Sequence, residues 1–262
     1  MTSLPITDQD APSVDAFHRG RFVLVQPKNG HRAGLDAMLL AASAPKDFSG
    51  RLADLGAGAG AAGLAVAARC PQANIVLVER EAEMLHHAQL TLAHPANAFL
   101  RPHVEILAAD VTLTGMARRQ AGLVDDSFDF VLMNPPFNAH GDRASPDALR
   151  RAAHVMEEGL FDKWLRTASA LLKPRGGLAL IARPQSLAEI LAALEGRFGG
   201  ARILPVSARA GEPAIRIIVR AVRGSRAPLS LLPPLILHDA AMGGFAAPAE
   251  DAISGFATLF EA

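Results

Sequence analysis

Four consecutive residues, Asn134-Pro135-Pro136-Phe137, follow directly on the apolar run Phe128-Asp129-Phe130-Val131-Leu132-Met133. A run of that length and composition predicts a buried strand, so the asparagine falls at its end. Two prolines then fix an extended path, and an aromatic ring follows. The Asn134 amide offers an oxygen acceptor, and Pro135 has a carbonyl but no N–H. Together they suit a planar amine held by its N–H groups while Phe137 stacks on its face. The matching chemistry is transfer to a conjugated nitrogen, a poor nucleophile whose lone pair must be aimed and whose developing positive charge must be stabilised. Neither a metal nor a covalent nucleophile is needed. A turn-forming asparagine beside a core phenylalanine is the plainer alternative.

A second constellation lies upstream, at Asp54-Leu55-Gly56-Ala57-Gly58-Ala59-Gly60. It closes one apolar run and opens an alanine-rich one, the pattern of a strand turning into a helix. Gly56, Gly58 and Gly60 allow a tight turn and close passage of a ligand, and the helix start presents amide donors. Glycines serving only strand-to-helix packing would look similar. Gly58-Ala59-Gly60-Ala61-Ala62-Gly63 also satisfies the dinucleotide pattern G-x-G-x-x-G, with Glu79 about where a ribose-binding acid would sit. S-adenosylmethionine fits the wider set: Asp54 suits its amino-acid end, directly or through water, and Glu79 its ribose hydroxyls. Asp110, beside Val111, can accept from the adenine amino group or cap a loop.

The elements that must position these residues follow from periodicity. Apolar runs predict strands at Arg51–Leu55, Asn74–Glu79, Val104–Ala109, Phe128–Met133, Leu178–Ala182, Arg202–Val206 and Ala214–Arg223. Helical patterns fall at Ala61–Ala68, Ala82–Ala93, Ala152–Leu172 and Leu187–Phe198, with a turn at Lys173–Gly177. Alternation of strand and helix predicts an α/β fold, a mostly parallel sheet with helices on both faces. The last two strands lack a helix between them and read as an antiparallel edge hairpin. All the candidate acids and Asn134 then fall at the carboxyl edge of one sheet, where ligands bind in such folds.

Ahead of the sheet, Phe22–Val25 reads as a short strand or part of a hairpin, and Ala37–Ala42 as a helix with Asp36 as its cap. Residues 1–50 read as a substrate-side extension, 51–223 as the catalytic core, and 224–262 as a tail packed on it, all one domain. Pro233 and Pro234 argue against a central strand in that tail.

Composition narrows the classes. With 26 basic and 26 acidic side chains the chain carries no net charge, so no overall field marks a nucleic-acid binder. Local cations are Arg19, Arg21, Lys28 and Arg32 before the sheet and Arg143, Arg150 and Arg151 after the NPPF motif. Pro136, Asn138 and His140 complete an expected acceptor lip. One cysteine, Cys70, excludes an internal disulfide and fits a reducing compartment. The histidines form no metal set. No secretory signal or membrane span is evident, which points to a cytoplasmic protein.

Gly34-Leu35-Asp36, the Asp54–Gly60 loop, Glu79, Asp110 and Asn134-Pro135-Pro136-Phe137 resemble the class I S-adenosylmethionine-dependent methyltransferases. Within them the chain is most similar to the small-domain group of bacterial tRNA1(Val) adenine-37 N6-methyltransferases, from roughly Gly30 to Ala182. That resemblance implies a Rossmann-like seven-stranded sheet, donor binding by the first residues and by Asn134, a target base held at the last, and structured RNA, most of all tRNA, as partner. NPP-aromatic enzymes also include glutamine N5-methyltransferases, which carry a separate N-terminal recognition domain; the short segment before Gly56 favours the tRNA type. A methyltransferase-like RNA-binding scaffold without turnover is the non-enzymatic alternative. His86-His87-Ala88-Gln89 and the region of Asn97 depart from the group's A-x-x-N pattern.

Overall fold

A computed structural model describes residues 12–28, 32–136, 159–239 and 244–260. Its centre is a nine-stranded sheet of spatial order β10-β8-β9-β7-β6-β3-β4-β5, with β11 also on β8. The strands are β3 (Gly50–Leu55), β4 (Ala73–Glu79), β5 (Val104–Ala108), β6 (Phe128–Met133), β7 (Leu172–Ala182), β8 (Phe198–Ser207), β9 (Ala214–Arg223), β10 (Ser230–Leu231) and β11 (Leu235–Ile236). β3, β4, β5, β6 and β7 run parallel, and β9 is antiparallel to both β7 and β8. The expected seven strands are present. The hairpin is not the outer edge, because Pro233 and Pro234 split the tail into two short pieces that each pair parallel with β8.

Period-two alternation distributes the core over two faces. Leu52, Leu77, Phe130, Leu132 and Ile181 pack under α1 (Leu35–Ala41), α2 (Ala61–Arg69) and α3 (Ala82–Ala93). Ala53, Leu55, Val131, Met133 and Leu180 pack under α5 (Leu160–Leu171) and α6 (Leu187–Leu194). A short α4 (Gly115–Gln120) precedes β6, and α7 (Ala247–Ile253) contacts α1 from the tail.

Three local expectations are corrected. α1 starts at Leu35 after Gly34, so Asp36 lies inside the first turn and makes no cap; its carboxylate pairs instead with Arg216 at 2.8 Å. The Lys173–Gly177 turn does not precede β7 but bulges within it: Phe128 faces Leu172, whereas Phe130 faces Gly177. α6 ends at Leu194, and Phe198 opens β8 because its ring is buried against the sheet.

The segment before α1 is a hairpin, β1 (Ser13–Phe17) and β2 (Phe22–Gln26), in a separate two-stranded sheet. Side chains complete the free edge of β2. Asn97 Oδ1 accepts the Val23 amide at 3.0 Å while its Nδ2 donates to the Val23 carbonyl at 2.7 Å. Thr91 Oγ1 accepts the Val25 amide at 2.9 Å. Both residues are buried. Thr91 lies three residues after Ala88 and so stands where the A-x-x-N pattern has its asparagine.

Candidate active site

Strand order reverses between β3 and β6, the place where open parallel sheets hold ligands. Leu55 pairs with Met133 there, so Gly56 and Asn134 are the next residues along neighbouring strands. The donor loop and the acceptor motif, nearly eighty residues apart in sequence by their numbers, thus leave the sheet side by side.

The loop is stitched to the end of β4. Gly56 and Ala57 amides donate to the Val78 carbonyl at 2.8 and 3.0 Å. The Gly58 amide donates to Glu79 Oε2 at 2.8 Å. Glu79 Oε1 accepts the Arg80 and Glu81 amides at 2.7 and 2.9 Å, so one buried carboxylate braces both the loop and the entry to α3. Gly56, Gly58 and Gly60 have φ of +69°, +58° and +95°, a region that favours glycine. At Gly56 space matters as well: a Cβ would fall 2.5 Å from the Trp164 ring.

Asp54 lies beneath the loop rather than in its mouth, only 2% exposed. Its Oδ2 accepts the Gly63 amide at 2.8 Å, inside the first turn of α2. Burial pushes its carboxyl up to about 7, against that hydrogen bond, and the nearby Glu79 charge adds to the rise. Asp110 Oδ1 accepts the Thr112 amide and hydroxyl, each at 2.7 Å, and Oδ2 pairs with Arg80 at 3.2 Å. Burial raises its carboxyl, but the Thr112 hydrogen bonds and the Arg80 charge win and hold it below the ordinary range. Asp110 therefore organises its own loop, the alternative role the sequence allowed. Val111 beside it is buried.

Asn134 carries the clearest signal. Its Oδ1 is buried and has no hydrogen-bond partner among the described residues. A solvent-excluded acceptor left unpaired costs about 1–3 kcal/mol, so a donor arriving there gains what the fold forgoes. Pro135 is buried and Pro136 half-buried beside it. Phe137, Asn138, His140 and Arg143 lie outside the described residues, as do Arg150 and Arg151.

The N-terminal cations divide. Arg32 pairs with Asp15 at 2.8 Å, and the Gln26 side chain accepts the Ala33 amide, which fixes the approach to α1 near the site. Lys28 follows β2 on the same side. Arg19 sits at the opposite end of the hairpin, paired with Glu250 at 3.3 Å and 5.0 Å from the Phe256 ring, so it clasps the tail.

Fold and site define a class I S-adenosylmethionine-dependent methyltransferase, with that molecule as cofactor. Residues 32–209 match the methyltransferase small domain, and the chain belongs to that family. A tRNA1(Val) (adenine(37)-N6)-methyltransferase of Porphyromonas gingivalis is 31% identical over 171 residues, 64% of either chain. The match therefore spans just under two thirds of that relative's length. One of the same name from Shewanella putrefaciens is 29% identical, over 66% of this chain and 68% of its own. A crystal structure of a predicted O-methyltransferase from Agrobacterium tumefaciens has a TM-score of 0.75 and 45% identity, covering 86% of this chain and 98% of that one. The T. thermophilus 16S rRNA N2 G1207 methyltransferase, solved with AdoMet and guanosine, shares the fold at TM-score 0.57 and 22% identity, over 84% of this chain and 52% of its own.

The residues present fit the cofactor. The bare, left-handed loop backbone, Glu79 at the end of β4 and Asp110 after β5 mark the carboxyl edge along which a nucleoside lies. Among the described residues no group of three or more His, Cys, Asp or Glu side chains is placed to hold a metal, and no helix is long and apolar enough to cross a membrane.

Proposed function

We propose that the protein methylates the exocyclic N6 amine of adenine in RNA, with tRNA as the substrate class, in the cytoplasm. The observation that carries this is the buried Oδ1 of Asn134, unpaired among the described residues, one residue beyond the strand position that pairs with the base of the glycine loop. An amine can donate one N–H to that oxygen and the other to the Pro135 carbonyl, which turns its lone pair out of the ring plane. S-adenosylmethionine, when bound, supplies the methyl group on a sulfonium. As the nitrogen gains positive charge, both acceptors strengthen their hold, and the surplus proton leaves to water after transfer. Phe137 stacks on the base in this reading, with Pro136, Asn138 and His140 lining the acceptor side and Lys28, Arg32 and Arg143 meeting phosphates. Glu79 takes the ribose hydroxyls, and Asp54 acts on the amino-acid end from beneath the loop.

The tRNA methyltransferases among the relatives support adenine in tRNA. The Agrobacterium structure bears an O-methyltransferase description, and the site argues for nitrogen instead. Oxygen acceptors need a base to remove a proton before or during attack, whereas Asn134 offers only an acceptor amide. Labelled S-adenosylmethionine incubated with fractionated RNA, DNA and protein tests the reading. N6-methyladenosine in the RNA digest is expected. Label confined to a protein glutamine, to a hydroxyl, or to no fraction would overturn it.

A further inference from the structure

A continuous rim leads from the acceptor side of the site to the tail. Asp36 and Arg216 tie the first turn of α1 to the start of β9, whose Ile217 pairs with Ala182 at the carboxyl end of β7. The turn between β8 and β9 stands at that same edge. There the His238 amide donates to the Ala208 carbonyl at 2.9 Å, fastening the segment after β11 to the rim. His238 then bridges Phe245, and the two rings stack at 5.0 Å with 17° between planes. A contact of 3.1 Å from His238 Nδ1 to the Gly244 carbonyl holds the imidazole. Phe245 stays 40% exposed although His238 covers one side of it. Arg209, on the adjoining turn, is 62% exposed, and its nearest carboxylate contact, Glu212, is a long 3.9 Å.

A ring stacked on His238 that still leaves 40% of its residue's surface exposed presents an aromatic surface to solvent. It is the form of a stacking platform, since every nucleobase has a π-face, and a guanidinium nearby can meet the phosphate. The platform stands four strand spacings from β6 along the sheet, about 19 Å at roughly 4.8 Å per strand. That is too far for the target base and suited to another nucleotide of the same RNA. We propose that His238 and Phe245 stack an unpaired base flanking the methylated one, with Arg209 on its phosphate. This rests on the RNA reading above, and its test separates the two.

Equilibrium binding of a structured tRNA transcript, without cofactor, is measured for the unaltered protein, Phe245→Ala, Phe245→Trp and Arg209→Ala. The expected result is about tenfold weaker binding for Phe245→Ala, the scale of a lost base–aromatic stack, with recovery in Phe245→Trp. Arg209→Ala should lower the slope of log affinity against log salt by about one phosphate contact. In the methyl-transfer assay the Phe245→Ala loss should fall in KM. Equal tRNA affinity for Phe245→Ala and the unaltered protein overturns the platform while leaving the RNA reading intact, provided the unaltered protein methylates RNA. Failure of the unaltered protein both to bind and to methylate RNA overturns both.

Discussion

Gly56 and Trp164 are in direct steric register: a methyl group on the glycine would sit 2.5 Å from the indole ring. Trp164 is the only tryptophan, and the chain has no tyrosine. Its ring is buried beneath the donor loop. Intrinsic fluorescence excited in the tryptophan band therefore reports on that loop alone, and titration with S-adenosylmethionine should shift or quench it. A flat titration alongside binding measured by calorimetry would contradict this coupling.

Gly56→Ala should destabilise the protein by about 1–3 kcal/mol, combining overpacking against the indole with a backbone φ of +69° that a Cβ disfavours. Donor affinity should fall with it. Urea denaturation followed through Trp164 emission checks the first, and an unchanged midpoint would show that the loop has room to yield.

Asp54 gives the apo protein a pH signature. Its folded carboxyl titrates at about 7 against an ordinary 3.8, so the folded state holds the proton more tightly than the unfolded chain. That stabilisation is complete below about pH 4 and is lost as pH rises through 7, with an upper size on the order of 4 kcal/mol. Asn at this position still accepts the Gly63 amide. Asp54→Asn should flatten the loss, so its stability relative to the unaltered protein should rise between pH 4 and 8 in denaturant titrations. A constant difference across that range would place the charge elsewhere.

His18 works in the opposite sense. Burial above all, then the charges of Arg69 and Arg21, lowers its imidazole to about 4 from 6.5. Its Nε2 is buried without a partner among the described residues, and a Cβ on Gly255 would touch its ring at 2.7 Å. Stability from the neutral ring is full above pH 6.5 and drains away as pH falls towards 4, by at most roughly 3 kcal/mol. The two slopes partly cancel in the unaltered protein. His18→Asn, a residue that tolerates the φ of +47° there, should remove the acid-side loss and leave the Asp54 slope exposed. Persistence of that acid-side loss in the variant would contradict the assignment.

Asn97→Ala should cost about 2–4 kcal/mol, because it strips partners from both polar groups of Val23 and from the Thr91 carbonyl in a buried place. Hydrogen exchange should show β2 losing protection before the main sheet does. Equal loss everywhere would mean the hairpin is not a separately held unit.

The buried strands inside the sheet, parallel Phe128–Met133 and antiparallel Ala214–Arg223, were legible with the bounds the structure shows because helices cover both faces of the sheet. α3 matched for its regular period. β1, half exposed, and the two-residue β10 and β11 carry too little pattern to register. Asp36 illustrates a different limit. An acid ahead of a helix resembles a cap, and only the long-range arrival of Arg216 reveals its partner. Thr91 was hidden by its residue type, since a hydroxyl does at β2 what the pattern led one to seek in an amide. The loop, Glu79 and Asn134 were visible as motifs. Their shared place at the carboxyl edge followed from the alternation of strands and helices, but that the loop and Asn134 leave adjacent strands did not, because it depends on the pairing of Leu55 with Met133.

The central claim is that Asn134 holds the acceptor amine. Single-turnover methyl transfer to tRNA by Asn134→Ala, paired with its affinity for S-adenosylmethionine, tests it most directly. The account predicts a rate lower by at least about a hundredfold, the scale of a lost charge-stabilising contact, with donor affinity near that of the unaltered protein. Transfer at the unaltered rate would contradict it.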